Sequence, residues 1–386
     1  MPDVYFATNR DLLVGSKPGE TVAPASEIFG RRFNAAGPQC FRVGVAEARL
    51  KGKDPKDDDA WSVGKVRIFA ETLDATKPED AGQKLGSGKM FEELRERLKA
   101  ENLDVIVYLH GFANTFENSV VRAAALQELY STARQKVMVV LFSWPSDGQV
   151  QPSWSYFSDR EDAEASGLAM GRALKRLVEF LEEMRSDDRQ TILEAQRRGE
   201  VPDRNALRQC TRRLHILAHS MGNWALRHAV RKFVELNEGR TPRVFDCAFL
   251  MAADEDHDAL QAALKLKALD QLANRVFVYH ASNDVALTIS DRTKGMADRL
   301  GADGPQTLDN VGERVFAVDC REISETALSH GRHQYYRLRP EAIADVQATL
   351  AGQSQDDRKW RDVVRPGRSW RLKPAAARTP RQSGPR

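Results

Sequence analysis

Long apolar runs are missing from this 386-residue chain, and nothing approaches the 18 or more consecutive apolar residues that a membrane-spanning helix needs. Cysteine is scarce: Cys40, Cys210, Cys247 and Cys320 lie far apart with no C-x-x-C or zinc-ligand spacing, which excludes a disulfide scaffold and a zinc finger. The opening MPDVYFATNR lacks a basic segment followed by an apolar one, so no secretory signal is visible and a cytoplasmic setting is expected. Internal repeats are lacking too. An excess of one charge is also absent overall, with 58 basic and 55 acidic side chains. What is present is 41% hydrophobic and 29% charged residues, the balance of a globular protein long enough to bury a core without metal or disulfide staples. A cytoplasmic enzyme or a large binding domain remains.

The near-neutral total hides a split. Gln353 to Arg386 carries ten Lys/Arg and three Asp/Glu, net +7, leaving net −4 on the preceding 352 residues. The last stretch is rich in Arg, Pro, Ser and Ala without apolar periodicity, and reads as a basic, disordered extension from residue 353.

From residue 100 onward, short β-branched runs alternate with helical stretches. DVIVYLHGF (104–112) and KVMVVLFSWP (136–145) are near-continuous apolar runs, as strands buried on both faces require. Further strands are predicted at 212–220, 243–254, 275–284 and 313–320. Helices are predicted at 117–134, 161–185, 221–236, 256–272, 286–300 and 340–351. This alternation predicts an α/β fold, a mostly parallel sheet with helices on both faces. VYFATNR (4–10), QCFRVGVAEARL (39–50) and WSVGKVRIFAETL (61–73) have no long helix between the first two, and predict antiparallel strands at one edge of the same sheet. Residues 186–211 are too long and charged for a simple loop and read as a helical surface insertion in one domain spanning 1–352.

The most informative stretch is LHILAHSMGNWAL (214–226), which puts Ser220 between a buried strand and an amphipathic helix. A nucleophile elbow needs small residues two positions either side of its serine, because the turn presses them against neighbouring backbone. Gly222 meets that need, and Ala218 stands in for the usual first glycine. His110-Gly111-Phe112 ends the strand expected beside it, where a backbone N–H, that of Phe112, can face an oxyanion; the Met221 N–H supplies a second donor. Each donor is worth about 3 kcal/mol in the transition state. In the order Ser, acid, His, Asp284 ends a strand at the right point, with Asp254 as rival; the acidic run after Asp254 is better explained as charge at a helix start. His330 and His333 both follow the last strand, and spacing does not separate them as the base. A histidine base implies a rate that falls as the pH drops through the ordinary imidazole range, about 6.5.

The signatures ATNR, YLHGFANTFENSV, LFSWPSDG, LAHSMGNWAL, HASNDVAL and GRHQYY together resemble those of bacterial α/β-hydrolases of the esterase/lipase superfamily with largely uncharacterised substrates. The resemblance runs from Ala7 to about residue 350, excluding 186–211 and the basic extension. It implies the α/β-hydrolase fold and a Ser220–His333–Asp284 triad, with His333 chosen because it precedes Tyr335 and Tyr336. The family usually has glycine immediately before that histidine; here Arg332 stands there, with Gly331 one earlier. It further implies hydrolysis of a carboxylic ester or thioester, a small-molecule ester or acyl substrate, and no metal or organic cofactor. The rival class is a catalytically silent scaffold of the same fold that binds a ligand or partner.

Other features weaken on inspection. LGSGKM (85–90) misplaces the first glycine of a phosphate-binding loop and has Met90 where Ser or Thr would meet magnesium. One histidine, His257, among Asp254, Glu255, Asp256 and Asp258 reads as a solvated face rather than a metal site. The aromatics Trp154, Tyr156 and Phe157 either line an acyl pocket or pack against the insertion. The basic extension could touch an anionic surface, but no folded nucleic-acid recognition motif accompanies it.

Overall fold

The computed structural model describes residues 2–13, 21–22, 28–69, 86–101, 103–149, 153–201, 212–287, 298–324 and 331–375. One 12-stranded sheet organises them. Its centre is built from β7 (Asp104–Leu109), β8 (Val137–Ser143), β9 (Leu214–His219), β10 (Phe245–Met251) and β11 (Ala273–His280), apolar segments buried nearly throughout. With β12 (Val315–Asp319) they run parallel in the order β12-β11-β10-β9-β7-β8. The expected antiparallel portion is present: β1 (Asp3–Thr8), parallel to β8, pairs antiparallel with β5 (Arg42–Leu50), followed by β6 (Trp61–Ile68) and the short β3 (Thr21–Val22). A separate two-stranded ladder joins β2 (Arg10–Leu12) to β4 (Phe29–Phe33).

Helices cover both faces. On one lie α1 (Gly86–Glu101), α4 (Gly167–Arg197) and α5 (Gly222–Leu236); on the other lie α2 (Phe116–Tyr130) and α6 (Pro340–Leu350). Several segments differ from expectation. The helix predicted over 161–185 is two helices, α3 (Ser153–Ala165) and α4, separated at Ser166. Behind that break, Gly167 and Gly171 let α4 approach α5 closely: an added Cβ would lie 2.7 Å from His228 Cβ and 3.0 Å from Phe233 N, respectively. The described part of the predicted insertion is mostly not separate, because α4 continues unbroken to Arg197; residues 202–211 lie outside the described residues. Residues 256–268 form turns rather than a helix, with one helical turn at Leu269–Leu272. Of the segment 286–300, residues 288–297 lie outside the described residues.

The basic segment after residue 352 departs most from its reading. Residues 353–375 fold onto the sheet, where β14 (Ser369–Leu372) pairs parallel with β12 and antiparallel with β13 (Arg361–Arg365). Its cations find partners in the acidic body. Arg361 makes two 2.6 Å bonds to Asp345 of α6, Arg358 bonds the same carboxylate at 3.1 Å, Arg371 meets Asp319 at 3.0 Å and Arg365 meets Asp309 at 2.7 Å. Trp370 and Leu372 are fully buried. Residues 376–386 lie outside the described residues.

No described helix is long and apolar enough to cross a membrane.

Candidate active site

The carboxyl ends of the parallel strands hold the candidate residues, the usual ligand side of an α/β sheet. Ser220 leaves β9 and α5 starts two residues later. Its φ of +54° lies in the left-handed region, which β-carbon-bearing residues avoid unless surrounding contacts enforce it. Those contacts are present. The Ser220 N–H donates to Met251 O (3.0 Å), while its carbonyl accepts from the backbone of Asn223 (3.0 Å) and Asp254 (3.2 Å) and from Asn223 Nδ2 (3.1 Å). Glycine is required at 222, because a Cβ there would sit 2.5 Å from Leu109 O and 2.7 Å from His110 O, backbone atoms of the neighbouring strand end. Ala218, in the other small position, is fully buried. Gly111 faces the elbow directly: its Cβ would be 2.9 Å from Ser220 Cβ.

Asp284 follows β11 and is fully buried. One carboxylate oxygen accepts the Leu287 N–H (3.1 Å) and the other lies 2.6 Å from His333 Nδ1. A carboxylate only accepts, so Nδ1 carries the proton and Nε2 faces away as an acceptor. The segment bearing His333 is tied to the acid's loop by Val285 N–H to Gly331 O (3.0 Å). Gly331 and Arg332 have φ of +61° and +62°, the backbone region where glycine is at ease, so the arginine before His333 adopts a glycine-like turn. Of the five non-glycine residues with positive φ among those described, Ala113, Ser220, Ala252 and Arg332 all flank this end of the sheet.

His219 bridges nucleophile and base segments. Its ring lies 4.7 Å from that of His333 and 4.5 Å from that of Tyr336, and its Nε2 is 3.2 Å from His333 O, so Nε2 is the protonated nitrogen. Burial, then the neighbouring His333 and Arg122, holds its pKa well below the ordinary imidazole value. Ser220 Oγ makes no hydrogen bond to His333 here; such contacts are often long before substrate enters. Among the described residues no acceptor meets the backbone N–H of Phe112 or of Met221.

The rival acid has other company. Asp254 accepts from Tyr156 OH at 2.5 Å, and Arg299 lies 3.8 Å from it, whereas the carboxylate bonded to His333 belongs to Asp284. The rival base, His330, lies outside the described residues. Asp256 and Asp258 are bonded to Lys265 rather than grouped around His257. Of the aromatics, Tyr156 packs on Phe112 (ring centroids 5.6 Å) and Trp154 is exposed. Trp144 stacks on His110 (4.8 Å) and bonds its carbonyl. Burial, then Arg10, pushes the His110 pKa down to about 3, and the neutral ring donates Nδ1–H to Gly111 O (2.9 Å).

One group of described side chains brings metal-ligating atoms together, with His215, Asp246 and Cys247 within 4.8 Å of one another. It lies at the opposite end of the strands, where Arg275 bonds Asp246 (2.7 Å), Arg213 bonds Asp104 (2.9 Å), and burial pushes the Cys247 thiol above the pKa range of a ready ligand. Ion pairs already satisfy those carboxylates.

Sequence reasoning passed over Asn114, the last residue of the 111–114 loop, and Arg10, Ser146 and Asp159 around it. Arg10 belongs to the ATNR signature, and burying its charge fully requires acceptors for its donors, which the segments around this loop supply.

A family described as alpha/beta hydrolase of unknown function (DUF900) matches residues 88–211 and 203–352. No curated protein and no solved structure matches the chain. The matched residues make up well over half its length, and the chain belongs to this family of α/β-hydrolases.

Proposed function

We propose that this α/β-hydrolase is a serine hydrolase that cleaves a carboxylic ester or thioester through an acyl-enzyme. The observation that carries the reading is the buried Asp284–His333 pair, 2.6 Å apart, on loops beside a serine held at φ +54° in a strand-to-helix turn. Ser220 Oγ attacks the acyl carbon while His333 Nε2 takes its proton. The negative charge that develops on the acyl oxygen is met by the Phe112 and Met221 N–H groups. Asp284 holds the ring orientation and stabilises the imidazolium. Collapse expels the alcohol or thiol, which leaves with the proton from His333. Water then attacks the acyl-enzyme, gives a proton to His333 and releases the acid, and Ser220 recovers its hydrogen. None of these steps calls on a metal or organic cofactor.

The test is turnover of a short-chain p-nitrophenyl ester by wild type, His333→Ala and His330→Ala. His333→Ala is expected to lose on the order of 10^4-fold or more in kcat, and His330→Ala to stay near wild type. The reverse pattern would make His330 the base, and equal wild-type rates in both variants would remove histidine from the mechanism.

A further inference from the structure

We propose that Arg10, which lies outside the residues matched by the family, is a positioning residue that aims the Phe112 N–H at the acyl oxygen. This rests on the serine-hydrolase reading. Arg10 is fully buried, and its guanidinium donates to four neutral oxygens: Ser143 Oγ (3.0 Å), Gly30 O (3.1 Å), Ser146 O (3.3 Å) and Asn114 O (2.7 Å). No described carboxylate pairs with it directly. Burial lowers its pKa to about 9, partly offset by Asp159, so it stays a cation near neutral pH. A desolvated charge without a contact ion pair is costly, and here its donors converge on the segments around the loop 111–114.

The loop is anchored at almost every polar point. Asn114, held through its backbone carbonyl by Arg10 and through Oδ1 by Arg122, donates Nδ2 to both Gly111 O and Phe112 O at 2.8 Å. The Asn114 N–H goes to Ser146 Oγ (3.1 Å) and the Ala113 N–H to Asp159 Oδ2 (3.2 Å), while Ser146 itself bonds Asp159. These bonds hold Ala113 at φ +56°. Gly111 O and the Phe112 N–H belong to the same planar peptide and point in opposite directions. Asn114 Nδ2 and His110 Nδ1 (2.9 Å) both donate to that oxygen, and fixing it fixes the direction of the N–H, on a peptide whose Gly111 abuts Ser220. Arg10 does not touch the reacting atoms; it sets Asn114, and Asn114, together with the His110 ring, sets the peptide.

The experiment is a time course of fluorophosphonate labelling at several probe concentrations, which separates the maximal inactivation rate from probe affinity. It compares wild type, Arg10→Lys, Arg10→Met and Asn114→Ala, each normalised to the fraction finally labelled, with thermal unfolding run in parallel. The phosphoryl oxygen of the probe occupies the place of the acyl oxygen. Arg10→Met and Asn114→Ala are expected to lower the maximal rate at least tenfold with apparent affinity within threefold, and Arg10→Lys to fall between them and wild type. If Arg10→Met does not fold, Arg10→Lys and Asn114→Ala carry the same comparison. Wild-type rates in the folded variants, or losses that only track the folded fraction, would overturn the positioning role while leaving the serine hydrolase intact. An unlabelled wild type would overturn both.

Discussion

Ser220→Ala should lose on the order of 10^5 to 10^6 in kcat toward any ester the wild type hydrolyses, with KM within about threefold. The size follows from the proposed mechanism, in which the three side chains act as a unit: without the hydroxyl, the Asp284–His333 pair has nothing to activate, and only binding and the two proposed N–H donors remain. The substitution keeps the Cβ that packs against Gly111, and alanine meets the same left-handed strain as serine at φ +54°. Unfolding temperature should therefore stay near wild type, so lost activity is lost chemistry. Steady-state kinetics with circular dichroism melting checks both parts. Turnover that survives in Ser220→Ala would place the nucleophile elsewhere.

Asp345→Ala should destabilise the fold by about 3–5 kcal/mol, the range for breaking a buried ion pair by removing one partner. Asp345 is fully buried and receives Arg361 twice, Arg358, Trp360 Nε1 (3.0 Å) and Tyr279 OH (2.7 Å). Its removal leaves Arg361, itself almost fully buried, facing no carboxylate there and loosens the hairpin β13–β14 from α6 and the sheet edge. Burial alone would raise the Asp345 pKa, but Arg361 and then Arg358 outweigh it and hold the carboxyl below 3.8. Its contribution is thus complete above the unfolded value of about 3.9 and is lost as pH falls through the lower folded value. A fall in Tm of about 4–6 °C at neutral pH is expected, shrinking toward zero in strong acid; an unchanged Tm would mean that the hairpin is dispensable. Because the hairpin lies far along the sheet from Ser220, the kcat of the folded fraction should be little changed.

That hairpin shows where sequence reading runs out. β7, β8, β9 and β10 were visible because a strand buried on both faces leaves an apolar run that needs no partner information. The elbow was visible because steric crowding at Gly222 and the strand-to-helix change both act within a few residues. SWRL in β14, by contrast, buries only Trp370 and Leu372, two alternate residues, too short a pattern to distinguish from a polar segment. Its arginines look solvated until Asp345 and Asp319, distant in sequence, are seen beside them. The charge split between body and extension, which suggested a free basic tail, is internal complementarity over residues 353–375. The break between α3 and α4 was hidden for a similar reason, since the close face of Gly167 belongs to His228 across the helix interface. In the candidate site, chain order and motif context singled out Ser220 and Asp284 and left His330 and His333 open, the family resemblance choosing His333, while Arg10 and Asp159 stayed mute. Their partners are carbonyls and N–H groups of other loops, which carry no side-chain signature.

The serine-hydrolase account stands or falls on one covalent bond. Purified, folded protein is treated with a fluorophosphonate, and the adduct is counted by intact mass and located by peptide mapping. A single adduct on Ser220, abolished in Ser220→Ala, is the predicted result; no adduct on folded wild type, or an adduct on another residue, would contradict it.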